Sequence, residues 1–175
     1  MKNSWQLRLR SLLPKQPDPA DRPQRLSLIG IGNELGGDDA AGVVVIKRLQ
    51  ALLSDRSALQ LINAGAAPEN ITGAVRRFQP GAIVLFDAAD FGGDPGEVSL
   101  LDWRETTGFS ASTHSLPLHV FSAYLSSELG CPVVLVGIQP FHLDFDAPLS
   151  LPVEQAVEGI VTEIHDILAV YSLPE

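Results

Sequence analysis

Leu26-Ser27-Leu28-Ile29-Gly30-Ile31-Gly32-Asn33-Glu34-Leu35-Gly36-Gly37-Asp38-Asp39 runs from an apolar segment through a glycine-rich loop into two adjacent carboxylates, and an apolar-periodic stretch, Val43 to Leu53, comes next. The order reads as a strand, a tight loop and a helix start. Glycines allow positive φ and let another group approach the backbone closely. Carboxylates near a helix N-terminus are stabilised in their charged form. A pair of them on a short loop supplies metal ligands or acid–base groups.

Outward from this stretch, apolar runs alternate with helical patterns. Leu26–Ile31, Leu59–Ala64, Ala82–Phe86 and Val133–Ile138 are continuous Val/Ile/Leu-rich runs of the kind found in buried parallel strands. Glu97–Leu101 is short, follows the turn-like Gly92-Gly93-Asp94-Pro95-Gly96, and reads as an antiparallel edge. Helices are expected over Val43–Leu53, from Asn70 to Phe78, over Leu116–Leu129 with Pro117 in the first turn, and from Pro152 onward. In the last, Val153, Val157, Ile160, Val161, Ile164 and Leu168 recur at helical spacing, with Glu154, Glu158, Glu163 and Asp166 on other faces. The alternation predicts an α/β fold: a three-layer sandwich with a mostly parallel twisted sheet of five strands between helices.

The chain has 175 residues, enough for one core, and its 45% hydrophobic and 19% charged residues fit a globular domain rather than a disordered one. Its net charge of −9 is uneven: residues 1–25 carry +4, leaving −13 on the remainder. An acidic body disfavours nucleic acid as a partner. The single Cys131 excludes an internal disulfide framework and a cysteine-rich zinc site, and points to a reducing, cytoplasmic setting. No apolar run reaches the roughly 18–20 residues that span a bilayer. Residues 1–25 read as a basic N-terminal extension, a short helix packing on the domain and then a Pro-rich linker (Pro14, Pro17, Pro19, Pro23); a partner-docking or membrane-surface helix is the competing reading. Residues 26–175 form the domain proper.

In open α/β sheets, sites form beyond the carboxyl ends of the strands. Asn33, Glu34, Asp38 and Asp39 follow the first strand, Asn63 and Gly65–Glu69 the second, Asp87 and Asp90 the third, and Gln139-Pro140 the last. Thr113-His114-Ser115 precedes the third helix. Asp87 is the first polar residue after a buried strand and is aimed at the rim. Asp39 comes from a neighbouring loop if the first and third strands are adjacent. With His114 they form an O/O/N set suited to zinc, nickel or manganese, leaving positions open for substrate. Each residue also has a plain reading: an Asp after a strand is commonly a turn former or cap, and a His before a helix a satisfied surface group. His119, His142 and His165 make weaker cases; His142 sits in a loop near the rim, with no carboxylate assigned to it. The Gly-x-Gly opening does not make a dinucleotide site, since Leu35 stands where the third glycine belongs and two acids come after it.

The motif Gly30-Ile31-Gly32-Asn33-Glu34-Leu35-x-Gly37-Asp38-Asp39-x-x-Gly42 resembles the opening of the hydrogenase maturation endopeptidases, which process the large subunit of nickel–iron hydrogenases. The likeness continues through Ala67-Pro68-Glu69-Asn70, Asp87-Ala88-Ala89-Asp90, Pro95-Gly96-Glu97, Ser112-Thr113-His114-Ser115-Leu116-Pro117-Leu118 and Gly137-Ile138-Gln139-Pro140. It is strongest to the hydrogenase-3 (formate hydrogenlyase) branch. The resemblance implies removal of a short C-terminal peptide from the precursor of a [NiFe] hydrogenase large subunit after nickel insertion. It puts the metal-binding and catalytic roles on Asp39, Asp87 and His114, with nickel supplied by the substrate and zinc or another divalent ion able to substitute. Asn33, Gly37 and Asp38 are the expected substrate-binding positions, and Asp38 is also expected to cap the helix that starts near Ala40. Ala40 and Asn63-Ala64-Gly65 depart from the family's usual Gly and Asp-Gly-Gly. A monomer without an integral membrane segment is expected. Carbonyl polarisation or water activation falls either to the metal or to a free carboxylate, and an aspartic-type pair of Asp39 and Asp87 stays open. No credible base accompanies Ser115 or Cys131. A nickel-dependent chaperone that binds the precursor without cutting it is the alternative function.

Overall fold

The computed structural model describes residues 4–12, 25–53, 57–105 and 117–170. Five strands, β1 (Leu26–Ile31), β2 (Leu59–Gly65), β3 (Ala82–Ala88), β4 (Val98–Leu101) and β5 (Val133–Ile138), form one sheet in the order β2-β1-β3-β5-β4. All neighbours are parallel except β4, which pairs antiparallel with β5 at the edge. The helices are α1 (Ser4–Leu12), α2 (Ala41–Leu52), α3 (Thr72–Phe78), α4 (Leu118–Leu129) and α5 (Leu151–Val170), with 3-10 turns at Gly37–Ala40 and Pro68–Ile71 leading into α2 and α3.

Successive side chains of a strand point to opposite faces, and the two cores divide accordingly. Leu26, Leu28, Val84, Phe86, Val134 and Val136 pack with α2 and α5. Ile29, Ile31, Ile83, Leu85, Val133 and Leu135 pack with Val75 of α3 and with Leu118, Phe121 and Leu125 of α4. The sheet is therefore sandwiched, as the alternation predicted. The apolar stripe of α5 is buried along its length, from Val153 to Leu168. Among the described residues no helix is long and apolar enough to cross a membrane.

The N-terminal extension does contain a short helix that docks on the body. Trp5 and Leu9 of α1 are buried in the same core as α5, and Gln6 and Arg10 both donate to the buried Glu163, the latter from Nε at 2.6 Å. The Pro-rich linker lies outside the described residues. Two of the boundaries that differ from the sequence reading lie beside the site. α4 begins at Leu118, with Pro117 as an extended N-cap (ψ 132) rather than inside the first turn. β3 continues through Ala88, so Asp87 is a strand residue paired with Gly137 and not the first residue past the strand.

Strand order reverses between β1 and β3, since β2 lies outside β1 on one side and β3 on the other. The crevice at their carboxyl ends is the natural site of such a sheet. What closes α2 onto this crevice is a missing side chain. A Cβ at Gly42 would lie 2.1 Å from the Phe86 carbonyl oxygen and 2.5 Å from that of Ile31. At Gly32, with φ +137, a Cβ would sit 1.8 Å from the Asp39 carbonyl oxygen. The helix start thus rests on the sheet backbone itself.

Gly→Ala in a helix ordinarily gains up to about 1 kcal/mol. Gly159→Ala in α5, where nothing lies within 4 Å of the new methyl, is expected to show that gain in urea denaturation. Gly42→Ala meets only backbone atoms that cannot yield, and is expected to lose about 2 kcal/mol or more in the same experiment.

Candidate active site

Asp38 and Asp39 are neighbours with opposite environments. The carboxylate of Asp38 is fully buried and accepts four hydrogen bonds: from the Phe141 amide at 2.8 Å, the His142 amide at 3.1 Å, the Ser150 amide at 2.7 Å and the Ser150 hydroxyl at 2.8 Å. Its own amide donates to the His142 carbonyl at 3.1 Å. Burial by itself would raise its pKa, but the donors from Ser150, Phe141 and His142 outweigh it and hold the carboxyl below its ordinary value. The expected capping role is not what this residue does, because neither the 3-10 turn nor α2 has a side-chain cap. Both of its oxygens are used to fasten residues 141–150 over the glycine-rich loop. Gly37 is covered by the same segment. A Cβ there would fall 2.9 Å from His142 Nδ1, and its φ of +58 favours glycine in any case. Of the three expected substrate-binding positions, only Asn33 is exposed.

Asp39, also buried, receives one donor, the Asn33 amide, 3.1 Å from Oδ2. Burial raises its pKa, and the Asn33 amide offsets only part of the rise. Asp87 sits at the end of β3 and is pushed up to about 8, chiefly by burial and further by the negative charge of Asp39, against a smaller opposing contribution from the Ala88 amide. The two carboxyls that the sequence reading placed on separate loops therefore do feel each other across the β1/β3 crevice. Asp87 is more deeply enclosed than a strand-end residue aimed at the rim, because the sheet continues past it.

His114, the expected third member, lies outside the described residues, as do Thr113 and Ser115. Among the described residues, no group of three or more His, Cys, Asp or Glu is gathered for a metal ion. Asp39 and Asp87 are two hard oxygen donors with no basic side chain beside them among the described residues, and could hold part of a divalent ion's coordination.

Two polar side chains shape the rim in ways that the strand ends alone did not reveal. Gln139, directly after β5, accepts from the Phe91 and Gly93 amides at 3.0 and 3.1 Å and donates to Asp90 Oδ1 at 3.1 Å. It thereby fixes the loop beyond Asp87. Asn63, standing where the resembling family has Asp, donates to Glu34 at 3.0 Å, and Lys47 donates to the other oxygen of Glu34 at 2.6 Å. Those two partners hold the Glu34 carboxyl below its ordinary value. The substitution removes a rim carboxylate and replaces it with a brace for the glycine-rich loop. A carboxamide right after a buried strand, with its Pro140 neighbour denying it helical continuation, was the available signal for Gln139.

Known proteins share this fold and much of this sequence. The family model described as hydrogenase maturation protease matches residues 43–167. The hydrogenase 3 maturation protease of Escherichia coli strain K12 is 33% identical over 134 residues, covering 76% of this chain and 84% of its own. The crystal structure of a [NiFe] hydrogenase maturation protease, HycI, from Thermococcus kodakarensis superposes with a TM-score of 0.76 at 35% identity, covering 83% of this chain and 93% of that one. The maturating endopeptidase HybD of E. coli, at 23% identity and a TM-score of 0.67, shares the fold, over 86% of this chain and 96% of its own. With a core, a sheet order and a glycine-rich loop of this kind, and with a family match over most of its length, the chain belongs to the hydrogenase maturation proteases.

Proposed function

We propose that this protein is the endopeptidase that removes the C-terminal peptide from a nickel-loaded [NiFe] hydrogenase large-subunit precursor, acting as a monomer in the cytoplasm. The observation that carries the reading is the buried, mutually repelling pair of Asp39 and Asp87 at the β1/β3 crevice. Membership of a protease family favours cleavage over binding alone. Asp39, Asp87 and His114 would complete the coordination of the nickel that the substrate brings on its own cysteines. When bound, the ion neutralises both carboxylates and polarises the groups it holds. Asp87 gives up its proton on binding, Asp39 stays oriented by the Asn33 amide, and the anchored tail is kept close to a reactive geometry.

A second reading has a specific observation in its favour. Asp87 is pushed up to about 8 by burial and by the neighbouring Asp39 charge, while Asp39 has the Asn33 amide as a donor against its own burial. Such a pair can work as acid and base. Asp39 would take a proton from water as its oxygen adds to the scissile carbonyl carbon, and Asp87 would give its proton to the departing amide nitrogen as the C–N bond breaks. Nickel would then select the substrate rather than act on it.

The two readings part on one experiment, cleavage of nickel-loaded and nickel-free precursor with mass analysis of the released tail. Cleavage confined to the loaded form supports the metal-anchored reading, and equal cleavage of both supports the carboxyl pair. Binding without cleavage would return the protein to a chaperone role. Asp39→Asn, Asp87→Asn and His114→Ala are each expected to slow processing about 100-fold or more, with far-ultraviolet circular dichroism unchanged; normal cleavage by any variant removes that residue from the mechanism.

The raised carboxyls also make stability depend on pH. An unfolded Asp ionises near its ordinary value of 3.8, whereas folded Asp87 holds its proton to about 8. Above the lower value the unfolded state binds fewer protons, so folding stability falls as pH rises between the two. Asp39 contributes with the same sign, while Asp38 and Glu34, whose carboxyls lie below their ordinary values, act only at more acidic pH. In chelator, the wild type is expected to lose a few kcal/mol between pH 5 and pH 8, since each tenfold change in proton affinity is worth about 1.4 kcal/mol. Asp87→Asn should flatten the slope, and an unchanged slope in that variant would show that Asp87 is ionised throughout.

A further inference from the structure

The segment after β5, residues 140–150, exposes more large apolar surface than a loop of its length ordinarily does. Phe141 is 67% exposed and Phe145 79%, Leu143 lies between them at 45%, and Leu151 at the start of α5 is 70% exposed. Leu35, at 50%, is joined to this segment, its carbonyl accepting the Asp146 amide at 2.8 Å. Scattered exposed leucines are common, but a cluster with two phenylalanines marks an interaction surface.

This cluster is held still. Both ends of the segment are bound to the Asp38 carboxylate, through Phe141 and His142 at one end and Ser150 at the other. Asp146 adopts φ 59, a turn conformation that Asp tolerates better than most residues, and the segment is bonded there to Leu35. A surface ordered before binding loses little conformational entropy when a partner arrives.

The cluster is also continuous with the candidate active site. Asp38 is the chain neighbour of Asp39, and two glycines form the seam between them and the segment. The absent Cβ of Gly36 would lie 3.4 Å from Asp39 Oδ2, and that of Gly37 lies against His142 Nδ1. A protein whose tail enters at Asp39 must cover the rim beside it. The charge of that rim narrows the partner further: Asp144, with its side chain 81% exposed, and Asp146 interleave the apolar residues, on a body that carries most of the chain's excess acid.

We propose that Leu35, Phe141, Leu143, Phe145 and Leu151 form the docking surface for the folded body of the hydrogenase large-subunit precursor, which presents there an apolar depression edged by lysine or arginine. This rests on the endopeptidase reading above for the identity of the partner. Asp38 is then a positioning residue, joining the surface that grips the body to the pair that receives the tail.

The test uses the full chain, the nickel-loaded precursor, and the Phe141→Ser/Phe145→Ser double variant beside Leu52→Ser. Leu52 is comparably exposed but sits at the far end of α2. Kd is measured by calorimetry in an Asp39→Asn background, where no cleavage is expected, and KM and kcat in the otherwise wild-type chain. The double variant is expected to raise Kd and KM about tenfold or more, with kcat within twofold and the melting temperature unchanged, and Leu52→Ser to alter none of them. Unchanged Kd in the double variant overturns the docking surface, as does an equal loss in Leu52→Ser. If the wild-type chain binds the precursor and never cuts it, the endopeptidase reading fails while the docking surface is still judged by the Kd comparison.

Discussion

The approach of α2 to the sheet at Gly42 is the constraint on which the rest of this molecule depends. A helix normally packs on a sheet through side chains, at a distance those side chains set. Here the backbone of Gly42 lies against the carbonyl oxygens of Ile31 and Phe86, near the carboxyl ends of β1 and β3. Apolar burial supplies the attraction, at roughly 25 cal/mol per Å², but it does not fix where along the sheet the helix comes to rest. The glycine does, because only there can the two backbones meet. Asp39 stands three residues earlier, and its carbonyl oxygen lies against Gly32. The position of the first carboxylate is thus set by backbone contacts, which are stiffer than any side-chain packing.

The division of labour between Asp38 and Asp39 comes from that stiffness. Adjacent residues in a tight 3-10 turn must point apart, so one carboxylate faces the crevice and the other turns into the body. A buried carboxylate without partners is strongly penalised, and Asp38 escapes the penalty by recruiting four donors from a segment more than a hundred residues away. Among the described residues, Asp39 and Asp87 are left with one amide each. The cost of that second arrangement shows as carboxyls raised from their ordinary values, Asp87 to about 8. Among the described residues no basic side chain pairs with either group, and buried carboxyls raised in this way are an argument for function.

Much of this was legible in the sequence, and the residues explain why. Leu26–Ile31 and Val133–Ile138 are continuous apolar runs because both faces are covered, and α5 shows an unbroken stripe because one face is. Local patterns reported local structure. Asp39 and Asp87 were legible as polar residues at the carboxyl ends of apolar runs, a position that depends only on chain order and on where the strand order reverses. The partnership of Asp38 with Phe141 and Ser150 was not legible, since no local pattern encodes a contact spanning that much sequence, and N-capping is the reading that short-range chemistry offers for an Asp before a helix. The extension of β3 past Asp87 was hidden for a related reason: an Asp interrupts an apolar run, and only the register against Gly137 shows that the strand continues.

On the reading proposed here, the unpaired state of the carboxyls also explains why a substrate's metal rather than a free ion should occupy the site. Proton and cation compete for Asp87. With the proton retained to about pH 8, an ion arriving from solvent must displace it and shed its own water, for the return of two oxygen ligands and whatever His114 adds. An ion already held by thiolates has lost part of its hydration and brings ligands with it, so Asp39, Asp87 and His114 would need only to complete its coordination. Weak affinity for free ions and strong affinity for a presented one then come from a single feature, burial without compensation. Gly42 brings α2 against the carboxyl ends of β1 and β3, so on this reading the selectivity of the site would rest on the absence of one methyl group.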